Sequence, residues 1–384
     1  MQAPSNESDK IQPIIGHPNV APSCREPISA LSRLVRDGNH RPRQMDRATL
    51  LKRCVEQCFP GLRPTILPAS ADASFRRYFR AVFDDGRPAC IIMDAPPDRE
   101  DCLPFIMTAE LLGAAGVNVP RVIARDVANG FLCLTDLGVQ TYLTALRSDP
   151  GCAETLYRDA IATLVRMQGG AATTTLPAYD HALLLRELEL LPEWYVGRHC
   201  GHALSARQWS ELRAIFEALI ADNLAQSQVF VHRDYHSRNL MVCSPADGTG
   251  ANPGVLDFQD AVCGPITYDL VSLLKDAYIE WDEVRVLDWA IRYWDAARAA
   301  GLPVNPEFGE FYRSFEWMGL QRHLKVLGIF ARLHHRDGKD QYLVDLPLVM
   351  RYTRKTCERY AVFSPLLRLF DAIEKIERRG GYTF

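Results

Sequence analysis

The chain has 384 residues, of which 47% are apolar and 24% charged, with 44 Lys and Arg against 47 Asp and Glu. This length accommodates two to three domains of about 150 residues and buries a core without disulfide or metal staples, and the composition excludes a wholly disordered, collagen-like or coiled-coil chain. A net charge of −3 argues against a surface built to neutralise nucleic-acid phosphates, no apolar run approaches the roughly 18 residues of a membrane span, and the first residues lack the basic-then-apolar order of a signal peptide.

In chain order, residues 1–44 are broken by Pro4, Pro13, Pro18, Pro22, Pro27 and Pro42, and their polar remainder buries little surface. They read as a disordered tail with one short helical turn near Ile28–Val35. Met45 is a candidate start and opens a patterned helix over Asp46–Cys58, with Leu50, Leu51, Val55 and Cys58 on one face. The eleven cysteines form no CxxC pair and read as free thiols of a reducing cytoplasm. Cys54 and Cys58 stand one helical turn apart, but two further zinc ligands are not evident nearby in sequence.

Strands follow. Phe75, Arg77, Phe79, Ala81 and Phe83 alternate onto one face, and Asp84-Asp85-Gly86 is a hairpin turn signal. Ala89–Met93 suits a buried strand, Pro104–Ala115 a helix ended by Gly116, and Val119–Ala124 and Phe131–Thr135 two strands around Asn129-Gly130. Beyond a linker at Asp136–Val139 the pattern is helical over Ala153–Gln168, His181–His199, Ala206–Gln226, Tyr268–Tyr278, Trp281–Ala300, Glu307–Leu333, Leu346–Tyr360 and Ser364–Arg378. Short β-like runs interrupt it at Val229–Val231, Leu240–Val242 and Val255–Phe258. The expected architecture is α+β and bilobal. It comprises a tail (1–44), a small β-rich N-lobe (45–136) and a large, mostly helical C-lobe (137–384), with ligands at the lobe interface.

The segment Val229–Val242 carries the chemistry. An apolar run leads into His232-Arg233-Asp234, Asn239 follows five residues after Asp234, and Asp257 stands eighteen residues further on, in Leu256-Asp-Phe-Gln-Asp260. Asp234 can accept a proton from an attacking hydroxyl, and Asn239 and Asp257 offer hard oxygen ligands suited to Mg²⁺. A metal-bridged phosphate and a positioned hydroxyl are most of what phosphoryl transfer requires.

His232–Asn239 together with Leu256–Ala261 resembles the catalytic and metal motifs of the aminoglycoside phosphotransferase / choline kinase family, over roughly residues 46–384. Ala71–Arg80, Met93–Pro97, Phe230–Met241 and Val255–Leu274 further resemble the bacterial anomeric kinases of N-acetylmuramate and N-acetylglucosamine, which serve cell-wall recycling. The resemblance implies a protein-kinase-like fold and a cytoplasmic kinase using ATP and Mg²⁺. The implied reaction places phosphate on the C1 hydroxyl of an amino sugar, whose product passes to a sugar-1-phosphate nucleotidyltransferase, with no nucleic-acid or membrane partner. It implies Asp234 as catalytic base and Asn239 and Asp257 as metal ligands. It also places Ser70, Asp72 and Ser74 in the hairpin over the nucleotide phosphates, and Thr135 and Leu137 in the hinge that reads adenine.

One departure stands out. The family pattern expects a Lys on the third strand, paired with a Glu on the following helix, and Met93 occupies about that place. Glu110 is the available acid, and Arg77 or Arg80 from the neighbouring strand is the candidate replacement cation. For the acceptor, His236 and Asp260 lie beside the reacting centre in sequence, and Arg322 on the C-terminal basic helix is a candidate partner for a lactyl carboxylate. Residues 304–384 hold 14 Lys and Arg against 10 Asp and Glu, which suits a neutral or anionic acceptor better than a polycation. Aromatic residues around Trp194-Tyr195 and Phe311–Trp317 are candidates for stacking on a sugar. The alternatives are a kinase of the same family acting on an aminoglycoside, choline or homoserine, and a non-catalytic pseudokinase, for which the missing Lys is the only support.

Overall fold

The two-residue alternation of the N-terminal strands decides which side chains meet a ligand. The computed structural model describes residues 46–71 and 75–376, so the expected tail, Asp72 and Ser74 lie outside the described residues. Helix α1 (Arg47–Cys58) precedes β1 (Thr65–Ala71), β2 (Arg77–Val82) and β3 (Cys90–Asp94); helix α2 (Leu103–Ala114) then leads to β4 (Val122–Asp126) and β5 (Phe131–Thr135). The five strands form one antiparallel sheet in the order β1-β2-β3-β5-β4. Ala81, Cys90, Ile92, Phe131 and Cys133 face α1 and pack on its Cys54 and Val55. Met93, Leu132 and Leu134 face the other way, into the core that holds Phe105, Ile106 and Ala109 of α2. Strand β1 escapes the sequence pattern because Pro68 interrupts it. It is an edge strand whose register slips between Pro68 and Ser70, a place where a sheet tolerates proline. At the β4–β5 turn, Gly130 has φ +74°, and a Cβ there would sit 1.9 Å from the Ala95 carbonyl oxygen.

The sheet also brings sulfurs together that are far apart in sequence. Cys54 and Cys58 lie 4.0 Å apart, Cys58 meets Cys133, and Cys133 meets Cys90. The fold therefore supplies two further thiols to the pair on α1. Even so, among the described residues no group of three or more His, Cys, Asp or Glu is arranged to hold a metal ion.

The second lobe contains α3 (Tyr142–Ser148), α4 (Ala153–Gly170), α5 (His181–Leu188), a π-helical segment (Leu191–His199) and α6 (Ala206–Ala225). Strands β6 (Gln228–Val231), β7 (Leu240–Met241), β8 (Gly254–Val255) and β9 (Val262–Pro265) follow, pairing as β6–β9 and β7–β8. The chain ends in α7 (Tyr268–Leu274), α8 (Glu283–Ala299), α9 (Phe308–Asp337), α10 (Leu346–Arg359) and α11 (Ser364–Glu374). The helix expected over 181–199 is two pieces, broken just ahead of Pro192, because proline removes a backbone donor and clashes with the preceding turn. Helix α9 runs past its apolar pattern to Asp337 and closes on Gly338 at φ +66°, the left-handed cap glycine favours. It crosses the π-helical segment at Gly328, where a Cβ would come within 2.5 Å of Leu190. No helix among the described residues is long and apolar enough to cross a membrane.

Asp94 fastens α1 to the sheet. Its carboxylate is fully buried and takes both Arg47, from the start of α1, and Arg77, its register partner on β2. Arg47 also donates to the Asn129 carbonyl at 2.7 Å. The arginine side chains keep 26% and 52% exposure, so loss of the acid leaves charges that water still reaches. Asp94→Ala is expected to cost roughly 2–3 kcal/mol and Arg77→Ala well under half of that. Urea denaturation of both variants checks the order; equal losses would remove Asp94 from this role.

Candidate active site

Strand β6 delivers the chain into a loop whose backbone is fixed from below. The buried Asp269 of α7 accepts the backbone N–H of His232 at 2.7 Å and of Arg233 at 3.0 Å. Burial pushes the Asp269 carboxyl up to about 7, against the pull of those two amides. Asp276, just past α7, accepts the Ser237 amide at 3.0 Å and its hydroxyl. Arg233 is thereby held at φ +76°, a conformation non-glycine residues adopt only when their surroundings enforce it. The His232 ring ties this loop to the next one. Nδ1 accepts the Asp234 amide at 3.2 Å, and Nε2 lies 2.9 Å from the Leu256 carbonyl, so the neutral ring carries its proton on Nε2. Burial lowers His232 to about 4, consistent with that neutral form.

These contacts bring Asp234, Asn239 and Asp257 to one cavity of about 670 Å³ between the sheet and the helical lobe. Asp234 is surrounded by protein, yet 44% of its side-chain surface opens into the cleft. Desolvation raises its carboxyl, but Lys325 and then His236, Arg322 and Arg233 outweigh that and hold it at about 2. It is ionised at any physiological pH. Asn239 donates through Nδ2 to the Asp234 carbonyl at 3.0 Å and to Asp257 Oδ2 at 3.2 Å, and Gln259 donates to Asp257 Oδ1 at 2.8 Å. Asp257 sits at φ +64°. A carboxylate and a carboxamide side by side fit Mg²⁺, which takes one or two carboxylates and completes its shell with phosphate and water oxygens.

Toward the sheet, the cavity is lined by Ala69, Tyr78, Arg80, Ile91 and the hinge, including Thr135 and Leu137. Strand parity separates the two candidate arginines. Arg80 lines the cavity, paired with Asp136 and donating to the Gly138 carbonyl at 2.7 Å. Arg77 points to the α1 face and is taken up by Asp94, so it does not join the site. Glu110 does not join it either: it is exposed on α2 and away from the cavity lining. Met93 is fully buried under α2. Just ahead of β2, Arg76 pairs with Glu100 on the approach to α2, at 3.0 Å. Ser70 lies in β1.

On the helical side, His236, Asp260 and Arg322 all line the cavity. His236 Nε2 is 4.0 Å from Asp234, and burial lowers its pKa. Among the described cations of residues 304–376, Arg322 and Lys325 reach the lining. Lys325, which the sequence pattern did not single out, donates to Tyr268 at 2.9 Å and pairs with Glu187 at 3.0 Å; Arg233 pairs with the same Glu187. The expected aromatic clusters lie elsewhere. Phe311 stacks on Tyr293 in the core, and Trp194 lies under Arg198. On this helical side the cavity's aromatic residues are Tyr268, Tyr278, Phe330 and Tyr342, with Arg238 held 3.6 Å over Tyr278. His334, at the end of α9, bonds Asp340 at 2.7 Å.

Residues 65–302 match the phosphotransferase enzyme family. The chain belongs to that family. It is 47% identical over 343 residues to the N-acetylmuramate/N-acetylglucosamine kinase of Neisseria meningitidis serogroup B, covering 88% of this chain and 100% of that protein. It is 50% identical over 308 residues to the protein of the same name from Pseudomonas aeruginosa, covering 80% of this chain and 88% of that one. Among solved structures, a choline kinase from Cryptosporidium parvum superposes with TM-score 0.57 at 10% identity, covering 84% of this chain and 99% of that chain. The GDP complex of aminoglycoside 2'-phosphotransferase-IIIa gives 0.55 at 12% identity, covering 81% and 99%. These superpositions show the bilobal, protein-kinase-like fold.

Within the family framework, Asp257 and Asn239 differ in charge, and a Mg²⁺ titration of activity separates them. Asp257→Ala is expected to raise the Mg²⁺ needed for half-maximal activity by about tenfold or more, since even outer-shell losses at metal sites cost that much. Asn239→Ala, which removes a neutral carboxamide, is expected to raise it less. Titration curves that coincide with wild type would remove both residues from metal binding.

Proposed function

We propose that this protein is an ATP- and Mg²⁺-dependent kinase that phosphorylates the anomeric C1 hydroxyl of N-acetylmuramate and N-acetylglucosamine in the recycling of peptidoglycan. What carries the reading is the meeting of Asp234, Asn239 and Asp257 in one cleft of a chain 47% identical, over the full length of the relative, to a kinase named for these two sugars.

Each residue has a separable task. The hinge around Thr135 and Leu137 presents backbone groups to adenine, and β1 with Ser70 leads into the hairpin over the phosphates. Asn239 and Asp257 would hold Mg²⁺, which would supply positive charge against the negative charge developing on the transferred phosphoryl group. His236 and Asp260 position the sugar. Asp234 accepts the proton of the C1 hydroxyl as the new O–P bond forms at the γ-phosphorus and the bond to the bridging oxygen breaks, releasing ADP. A carboxylate held at about 2 is a weak base. It suits the anomeric hydroxyl, which is more acidic than an ordinary alcohol, and a loose transition state in which proton transfer comes late. The cations lining the acceptor half, Arg322 and Lys325, favour a neutral or anionic sugar over a polycation. This chemistry belongs in the cytoplasm, where ATP is available, and its sugar 1-phosphate product is the substrate of a nucleotidyltransferase.

Both amino sugars are expected to yield a product whose phosphorus couples to C1 in the NMR spectrum, and the 1-O-methyl glycosides are expected to be inert. A 6-phosphate, or turnover of a methyl glycoside, would overturn the anomeric assignment.

A further inference from the structure

Three cations surround Asp234, and the protein neutralises two of them. Arg233 and Lys325 share the buried carboxylate of Glu187. Arg322, one turn before Lys325 on α9, has no part in that cluster. It is only 3% exposed, it lines the cavity, and its Nε and Nη1 are buried without a hydrogen-bond partner. Its field is felt across the site, helping to hold Asp234 down and to lower His236 and His323. A buried guanidinium without acceptors is costly in the empty protein. The cost is removed when a ligand supplies an anion.

The guanidinium fork matches a carboxylate through two parallel N–H···O bonds. The two sugars named for the relatives differ in one charged group, since N-acetylmuramate carries a lactyl ether with a carboxylate and N-acetylglucosamine does not. Resting on the acceptor reading above, we propose that the Arg322 guanidinium binds the lactyl carboxylate of N-acetylmuramate and so sets the preference between the two sugars. Metal-bound phosphate is the competing anion. Asn239 and Asp257 already serve that part of the cleft, whereas Arg322 shares α9 with Val326, Ile329, Phe330 and Leu333 of the lining. N-acetylglucosamine leaves the guanidinium unpaired, so it is accepted with a penalty. A site built to bond a charged group discriminates strongly against the analogue lacking it.

The test crosses acceptors with variants. kcat/KM is measured for N-acetylmuramate, its neutral methyl ester and N-acetylglucosamine on wild type, Arg322→Gln and Arg322→Lys. Arg322→Gln is expected to lose on the order of 100-fold on N-acetylmuramate, with much smaller losses on the ester and on N-acetylglucosamine, so that the preference among acceptors collapses. Arg322→Lys, which keeps the charge without the fork, is expected to recover part of the loss. Turnover of the two uncharged acceptors also reports that the variants are folded. Equal losses on all three acceptors would overturn the assignment and make Arg322 a phosphate or scaffold contact, leaving the kinase reading intact. Failure of wild type to phosphorylate any of the three would instead overturn the acceptor reading itself, and this inference with it.

Discussion

The site depends on one buried carboxylate gripping two consecutive amides. Asp269 holds the His232 and Arg233 N–H groups, and with them a left-handed Arg233 that would otherwise relax. Asp276 repeats the device at Ser237, so the loop is pinned at both ends while Asp234 between them faces the cavity. His232 extends the frame to the Leu256 carbonyl, one residue before Asp257. Asp234 and Asp257 are therefore spaced by buried side chains that grip the backbone of both loops. This is the kind of support that keeps a reacting constellation within the narrow tolerance catalysis demands.

Charge in the cleft is arranged around that frame. Glu187 absorbs Lys325 and Arg233, so Asp234 sits beside cations that hold it ionised without capturing it in a salt bridge. Arg80 is treated in the same way on the small-lobe side, where Asp136 matches its charge. Asp234, Asp260 and Arg322 line the cavity outside those ion pairs, where a substrate can meet them.

Asp234, Asn239 and Asp257 were legible in the sequence because they stand in short loops bounded by apolar runs, where local spacing nearly fixes spatial neighbourhood. The small lobe was legible by alternation, and the same alternation separates Arg80 from Arg77: Arg77 shares parity with Phe79 and Ala81, which face α1. Glu110 was not legible, because the sequence of α2 is apolar nearly all round and gives no sign of which side meets the sheet. Glu187 and Lys325 pair across 138 positions of the chain, which only tertiary structure brings together. A signal for them existed all the same. Arg322 and Lys325 are ionisable residues inside a helix whose neighbours are buried, and Asp269 and Asp276 bracket an apolar run in the same manner. Charges in such places are kept for a partner or a reaction.

Asp234, fixed by this frame, is proposed to take the proton from the attacking sugar hydroxyl. Rapid-quench measurement of phosphoryl transfer in Asp234→Asn, alongside its ATP affinity, tests it most directly. The account predicts a kcat lower by about two to four orders of magnitude, the usual worth of a positioned base, with ATP binding close to that of wild type. Near-normal turnover in that variant would contradict it.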